Sequence, residues 1–143
     1  MTGSFPAFTA ATAIVLAVFQ MLLLLYAANG RGRFRTGLGD GGNPQLLQRI
    51  RMHGNLAENA PLFLILMGLT EMTGQWMPYV AWIGAAFIVV RLSHALGLAI
   101  SSGVSLFRFL GVTGTIAANV ALAVFLAITL ARDTHWLAPA LHI

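Results

Sequence analysis

The polar residues best suited to chemistry lie inside a long apolar stretch. Arg51, Asn55 and Glu58 follow one another at intervals of four and three residues, so they project from one face of a helix. Placing a carboxylate or a guanidinium at mid-helix in hydrocarbon costs about 2.5–3.5 kcal/mol by insertion scales, so such groups are kept where they face a partner, water or a ligand. This face of the helix is therefore the first candidate for a functional site.

The same face carries further polar side chains. Successive residues of a helix are rotated by about 100°, which places Gln48, Arg51, Asn55 and Glu58 within a sector of about 80°, with Asn59 at its edge. We call these five residues the polar seam. Its non-functional interpretation is a set of hydrogen bonds and ion pairs between helices.

Two later apolar segments also carry charge. Arg91 and His94 are three residues apart and share a helix face, and the nearby Gly97 would permit close helix contact. Arg108 lies near the start of the last apolar segment. The alternative roles are structural: Arg91 would neutralise Glu58, and Arg108 would extend toward the membrane interface.

The composition defines the class of protein. Of the 143 residues, 58% are hydrophobic and 8% are charged, against about 25% charged in ordinary soluble domains, and the mean hydropathy is +0.82. We expect one integral membrane domain over residues 1–143. The absence of cysteine excludes disulfides, thiolate metal sites and a thiol nucleophile from the protein itself.

Four long segments can form membrane helices of about 20 residues or more. The sequence predicts an all-α, integral membrane four-helix bundle with helices at about 5–28, 45–72, 78–100 and 106–131. Residues 29–44 include six glycines and are predicted as a loop, with Pro44 in the first turn of the second helix. The loop lacks the Lys and Ser/Thr of a phosphate-binding motif, and no metal site is expected, since His135 and His142 are tail residues without the spacing of ligands.

The arginines predict the topology. Five of the eight lie in or beside the loop 29–44, which is the distribution of a cytoplasmic loop. With four helices, both termini would be non-cytoplasmic. No nucleic-acid partner is expected, and a cleaved signal peptide fits poorly because no Lys or Arg precedes the first apolar segment.

Three short runs resemble one family. RMHGNLAENAPLFLILMGLTE (51–71), RLSHALG (91–97) and RFLG (108–111) resemble signatures in the second, third and fourth helices of the MAPEG superfamily, the membrane-associated proteins in eicosanoid and glutathione metabolism. The likeness is to the bacterial branch, and the polar positions are similar to those of microsomal glutathione transferases and microsomal prostaglandin E synthase.

The resemblance implies a homotrimer that binds glutathione as co-substrate between subunits near the cytoplasmic side. By position, Arg51, Asn55 and Glu58 would bind the tripeptide, with Arg91 and His94 in or near the same pocket. His53 belongs to the matched run and joins the expected glutathione-binding residues, although its helical angle points away from the polar seam. Arg108 would be catalytic and stabilise the thiolate.

Two functions of different classes follow. The first is a glutathione transferase or peroxidase of a bacterial inner membrane, acting on a lipophilic small molecule that arrives from the membrane lipid. The second is a non-catalytic binding or scaffold protein of the same fold, in which the polar seam serves trimer assembly. The chain departs from the family pattern at two positions. Several family members have a tyrosine where this chain has Leu98, and some have a serine after the arginine where this chain has Phe109 after Arg108. A small transporter is less favoured, because the sequence shows no internal repeat.

Overall fold

The computed structural model describes residues 5–101, 103 and 105–132, so His135 and His142 lie outside the described residues. The described chain is helical and contains no strand. Its four helices are α1 (Ala7–Arg33), α2 (Pro44–Met72), α3 (Met77–Ile100) and α4 (Leu106–Arg132). The predicted all-helical fold with four helices is therefore confirmed.

Three of these helices, α1, α3 and α4, are long and apolar enough to cross a membrane. The 29-residue α2 is not among them, because the polar seam lowers its hydropathy. It packs against each of the other three helices. The chain is thus an integral membrane protein whose most polar helix lies among three apolar ones.

The first helix is longer than its sequence suggested. Its predicted end was residue 28, but it continues to Arg33, even though each glycine in a helix costs about 1 kcal/mol relative to alanine. Close packing explains the difference. A Cβ at Gly30 would lie 2.8 Å from Cδ of Arg49 and 3.1 Å from Cδ1 of Leu46, so glycine is what lets this turn approach α2.

The loop between α1 and α2 is closed by side chains at both ends. Arg31 Nη1 donates to the carbonyl oxygens of Gly37 at 3.3 Å and Gly39 at 2.9 Å. Asn43 Oδ1 accepts the backbone N–H groups of the two residues after Pro44, both at 3.0 Å. Asn43 is therefore an N-cap, and Pro44 occupies the first helical position, where a missing N–H costs nothing.

Aromatic packing joins the helices away from this loop. Phe63 of α2 and Phe87 of α3 are fully buried and stack with ring centroids 3.6 Å apart. Trp76, in the α2–α3 connection, stacks on Phe125 of α4 at 4.4 Å and donates its indole N–H to Thr129 Oγ1 at 2.9 Å. The Phe63–Phe87 stack joins α2 to α3, and the Trp76 contacts attach this hairpin to α4.

Glu71 makes the least expected contact of the fold. It is 1% exposed, and its carboxylate accepts the backbone N–H of Phe8 at 2.8 Å and both the N–H and the hydroxyl of Thr9 at 2.7 Å. The N–H groups of a first helical turn have no partner within the helix, and that end of the helix favours negative charge. The last turn of α2 therefore caps the first turn of α1.

We predict that Glu71→Ala destabilises the protein, because it leaves the backbone N–H groups of Phe8 and Thr9 without their acceptor. Each unsatisfied group costs about 1–3 kcal/mol, so the loss should appear as a clear fall in unfolding midpoint in detergent micelles. Thr9→Val removes only the hydroxyl bond and should cause a smaller fall. Equal midpoints for Glu71→Ala and the parent protein would contradict this role.

Candidate functional site

The charged residues of the polar seam pair along α2. Arg51 Nη1 lies 3.6 Å from Glu58 Oε1, and the two side chains are 51% and 58% exposed. The suggested pairing of Glu58 with Arg91 is wrong as a direct contact, since Arg51–Glu58 is the only salt bridge within the described part of the chain. Arg91 is engaged elsewhere.

Arg91 connects three helices from a buried position. Its side chain is 2% exposed; Nη2 donates to Asn55 Oδ1 on α2, and Nη1 donates to Thr115 Oγ1 on α4 at 3.0 Å. The Thr115 hydroxyl in turn donates to the Gly111 carbonyl at 2.7 Å. Glu58 is near enough to attract the guanidinium charge without touching it. We call Asn55, Arg91 and Thr115 the buried network.

His94 is buried within reach of the charges of three arginines. It is 4% exposed, and the charges of Arg91, Arg108 and Arg51 all act on it. Among the described residues, Glu58 is the only carboxylate that forms a salt bridge with one of these three cations. The cluster therefore carries an excess of positive charge, which suits an anionic ligand.

Arg108 is placed by the close approach of α4 to α3. Its backbone N–H donates to Ser105 Oγ at 3.3 Å, and its guanidinium donates to the Gly103 carbonyl. A Cβ at Gly97 would lie 2.7 Å from Arg108 Cγ and 2.8 Å from its nitrogen. The expectation that Gly97 permits close helix contact is confirmed, and this contact sets the position of the arginine.

His53 is not joined to this cluster. Its carbonyl oxygen accepts a bond of 3.5 Å from Gln20 Nε2 on α1, and its side chain is half-buried. Within the described residues, no hydrogen bond or ion pair connects its imidazole to the polar seam. The structure therefore agrees with its helical angle, and its expected role in glutathione binding stays a prediction.

Sequence reasoning missed the packing roles of three residues of α4. Thr115 accepts from Arg91, and Gly111 makes room for His94, because a Cβ at Gly111 would overlap His94 Cβ and lie 2.8 Å from its Cα. Gly114 similarly accommodates Val90. The available signal was the run of small residues on an otherwise apolar helix, which is typical of close helix contacts in membranes.

The described residues contain no group of three or more His, Cys, Asp or Glu side chains that could bind a metal ion. The donors of this site are instead guanidinium, amide and imidazole groups. Such groups bind carboxylates and other anions through charge-assisted hydrogen bonds.

The chain matches a known protein family and a bacterial relative. The MAPEG family model matches residues 9–128. The chain is also 33% identical over 87 residues to the inner membrane protein YecN of Escherichia coli, in both the K12 and the O6:H1 strains. The match covers 59% of this chain and 65% of the relative, slightly less than two thirds of the relative's length.

We predict that Thr115→Val destabilises the protein by about 1–3 kcal/mol, because it leaves a buried donor of Arg91 without an acceptor at nearly unchanged side-chain volume. Thr113→Val is the matched control on the same helix. Its hydroxyl is exposed and bonds only to the carbonyls of Phe109 and Leu110. Unfolding midpoints that fall equally for the two variants would show that the Arg91–Thr115 contact stabilises the protein no more than the Thr113 hydrogen bonds do.

We predict that Gly111→Ala forces α4 away from His94 and costs about 1–3 kcal/mol, as overpacking does. Gly32→Ala provides the opposite case, because Gly32 lies in α1 with nothing within 4 Å of an added Cβ. That change should be stabilising by about 1 kcal/mol through helix propensity. Thermal unfolding in the same detergent measures both, and a neutral Gly111→Ala would refute the close contact.

Proposed function

The chain belongs to the MAPEG family, and from that premise we propose that it is a membrane-bound glutathione transferase or peroxidase. The observation that carries the proposal is the excess of positive charge around His94. The charges of Arg51, Arg91 and Arg108 all act on His94, and Glu58 is the only described carboxylate that pairs with one of them. Glutathione brings two carboxylates, one amine and the thiol that this cysteine-free chain lacks.

The exposed half of the cluster supplies the groups that would bind the tripeptide. Arg51 and Glu58 lie 3.6 Å apart and are each more than half exposed, so their mutual attraction is weak. A ligand carboxylate can take the Arg51 guanidinium while a ligand amine takes the Glu58 carboxylate. Asn55 lies between them in sequence and is already held by Arg91, which fixes its amide for ligand binding.

Arg108 would act on the sulfur. A cation beside a thiol lowers its pKa and raises the thiolate fraction near neutral pH. In the transferase reaction the thiolate forms a carbon–sulfur bond with a lipophilic electrophile, and the leaving group departs with the bonding electron pair. In the peroxidase reaction two thiols are oxidised to a disulfide while a lipid hydroperoxide is reduced to an alcohol and water.

The same exposed pair supports assembly as a homotrimer. A charged pair on the outer face of a membrane protomer would meet hydrocarbon, where charge is costly. A neighbouring copy that covers Arg51 and Glu58 removes that cost and encloses the ligand between subunits. Substrate would enter from the surrounding lipid of a bacterial inner membrane, with both termini on the non-cytoplasmic side, as the loop arginines predict.

A second function is favoured by the buried network. Arg91 already bonds to Asn55 and Thr115, so much of the polar surface is satisfied without a ligand. A non-catalytic binding or scaffold protein of the same fold would keep the network for stability and the Arg51–Glu58 pair for assembly. It would not bind glutathione saturably.

We predict that glutathione titrated into the detergent-purified protein gives a saturable ultraviolet thiolate signal. In Arg108→Ala that signal should fall about tenfold, as expected for a thiol pKa raised by about one unit, while calorimetry still detects glutathione binding. Glu58→Gln should weaken binding itself. The control is Arg132→Ala, which removes an exposed arginine from the opposite end of α4.

Each outcome separates the two functions. A thiolate signal retained in full by Arg108→Ala would remove the catalytic assignment. Glutathione binding without any thiolate signal in the parent protein would leave a binding protein. Absence of binding in the parent protein would favour the scaffold.

A further inference from the structure

A cavity lies outside the cluster around His94, where the end of α1, the start of α2 and the end of α3 meet. Its volume is about 200 Å³. It is lined by Tyr26, Gln45, Gln48, Arg49, Met52 and Ala99. The α2 residues that line the cavity point about 100° away from the centre of the polar seam. Only Gln48 belongs to both the cavity lining and the polar seam, so the cavity is a separate site.

Arg49 is held in the wall of this cavity by three contacts. Its guanidinium carbon lies 4.1 Å from the centroid of the Tyr26 ring, and Nη1 donates to the Tyr26 carbonyl at 3.4 Å. Gly30 leaves room for its stem, since a Cβ there would lie 2.8 Å from Arg49 Cδ. The guanidinium is therefore largely pre-positioned, which reduces the entropy lost on binding.

The charge of Arg49 is not neutralised by the described protein. No carboxylate among the described residues lies within salt-bridge distance of it. The side-chain amides of Gln45 and Gln48 likewise make no hydrogen bond within the described residues. One fixed cation and two available amides around a small cavity match the chemistry of a phosphate, which accepts several hydrogen bonds and carries negative charge.

The surroundings favour a phosphate that belongs to a lipid. The last turn of α1 and the connection that follows it carry Arg31, Arg33 and Arg35 against a single acid, Asp40. Such basic segments attract anionic membrane surfaces. Large apolar side chains next in sequence to the cavity residues are exposed and can contact acyl chains. They are Leu25 at 64%, Leu47 at 44% and Ile100 at 69%.

We propose that this cavity binds the phosphate of an anionic phospholipid, with Arg49 as the charged ligand residue and Gln45 and Gln48 as hydrogen-bond donors. The lipid would sit at the arginine-rich end of the bundle and join α1, α2 and α3. The inference does not depend on glutathione. A protein with no thiol chemistry would still bind the lipid.

The test is native mass spectrometry of the full chain, released from detergent that contains equal amounts of phosphatidylglycerol and phosphatidylcholine. The parent protein should retain phosphatidylglycerol preferentially. Arg49→Gln should lower that retention about tenfold, as loss of a charge-assisted hydrogen bond does. Arg33→Gln is the matched control, because it removes an exposed arginine of the same end that does not line the cavity.

A second variant protects the test against misfolding of Arg49→Gln. Gln45 is exposed, so Gln45→Ala should fold normally and still reduce phosphatidylglycerol retention severalfold. If retention in Gln45→Ala equals that of the parent protein, the cavity is not the binding site and the proposal is overturned.

Four other results would also overturn it. Equal retention of the two lipids by the parent protein would show that no anionic site exists. An equal loss of phosphatidylglycerol retention in Arg33→Gln would show that the lipid is held by the general positive charge of this end of the bundle and not by the cavity. Complete displacement by millimolar inorganic phosphate would assign the cavity to the free ion, and a change in oligomeric state of Arg49→Gln would assign Arg49 to a contact between copies.

Discussion

Arg91 sets the constraint on which the packing of this bundle depends. A guanidinium remains charged in any protein environment, and hydrocarbon offers it no water, so the protein must supply its acceptors. Asn55 supplies one from α2 and Thr115 supplies another from α4. Three helices are thereby fixed relative to one another at one buried point, and α4 must approach α3 closely enough for a threonine hydroxyl to reach the arginine.

Small residues make that approach possible. Gly97, Gly111 and Gly114 lie where an added Cβ would collide with Arg108, His94 and Val90 respectively. Without a hydrophobic driving force between helices in lipid, close van der Waals packing and hydrogen bonds must hold them together. The same closeness places the first turn of α4, and with it Arg108, beside the end of α3. Structural packing and placement of the proposed catalytic group are therefore one feature.

The polar groups fall into two sets with different demands. Arg91 and Glu71 are buried: Glu71 has its donors inside the protein, and two of the three Arg91 nitrogens have acceptors there, while Arg91 Nε has none among the described residues. Arg51 and Glu58 are exposed and hold each other only loosely at 3.6 Å. Groups of the first kind stabilise the fold, whereas groups of the second kind remain available to a ligand or a neighbouring copy. This division is why a single polar helix can serve both stability and a proposed binding site.

The sequence by itself determined the class of fold and the composition of the cluster. Long segments with few charges predicted four helices, although α2 is too polar to be among the membrane-spanning candidates. Spacings of three and four placed Arg51, Asn55 and Glu58 on one face. What the sequence could not decide was how the polar groups pair across helices. The sequence suggested a Glu58–Arg91 contact, ended α1 too early and assigned no role to Glu71. All three errors have one reason: helical periodicity gives the direction of a side chain but not the distance to another helix. That distance is set by which turns carry glycine and by where a buried charge finds an acceptor, and only the tertiary structure brings those residues together.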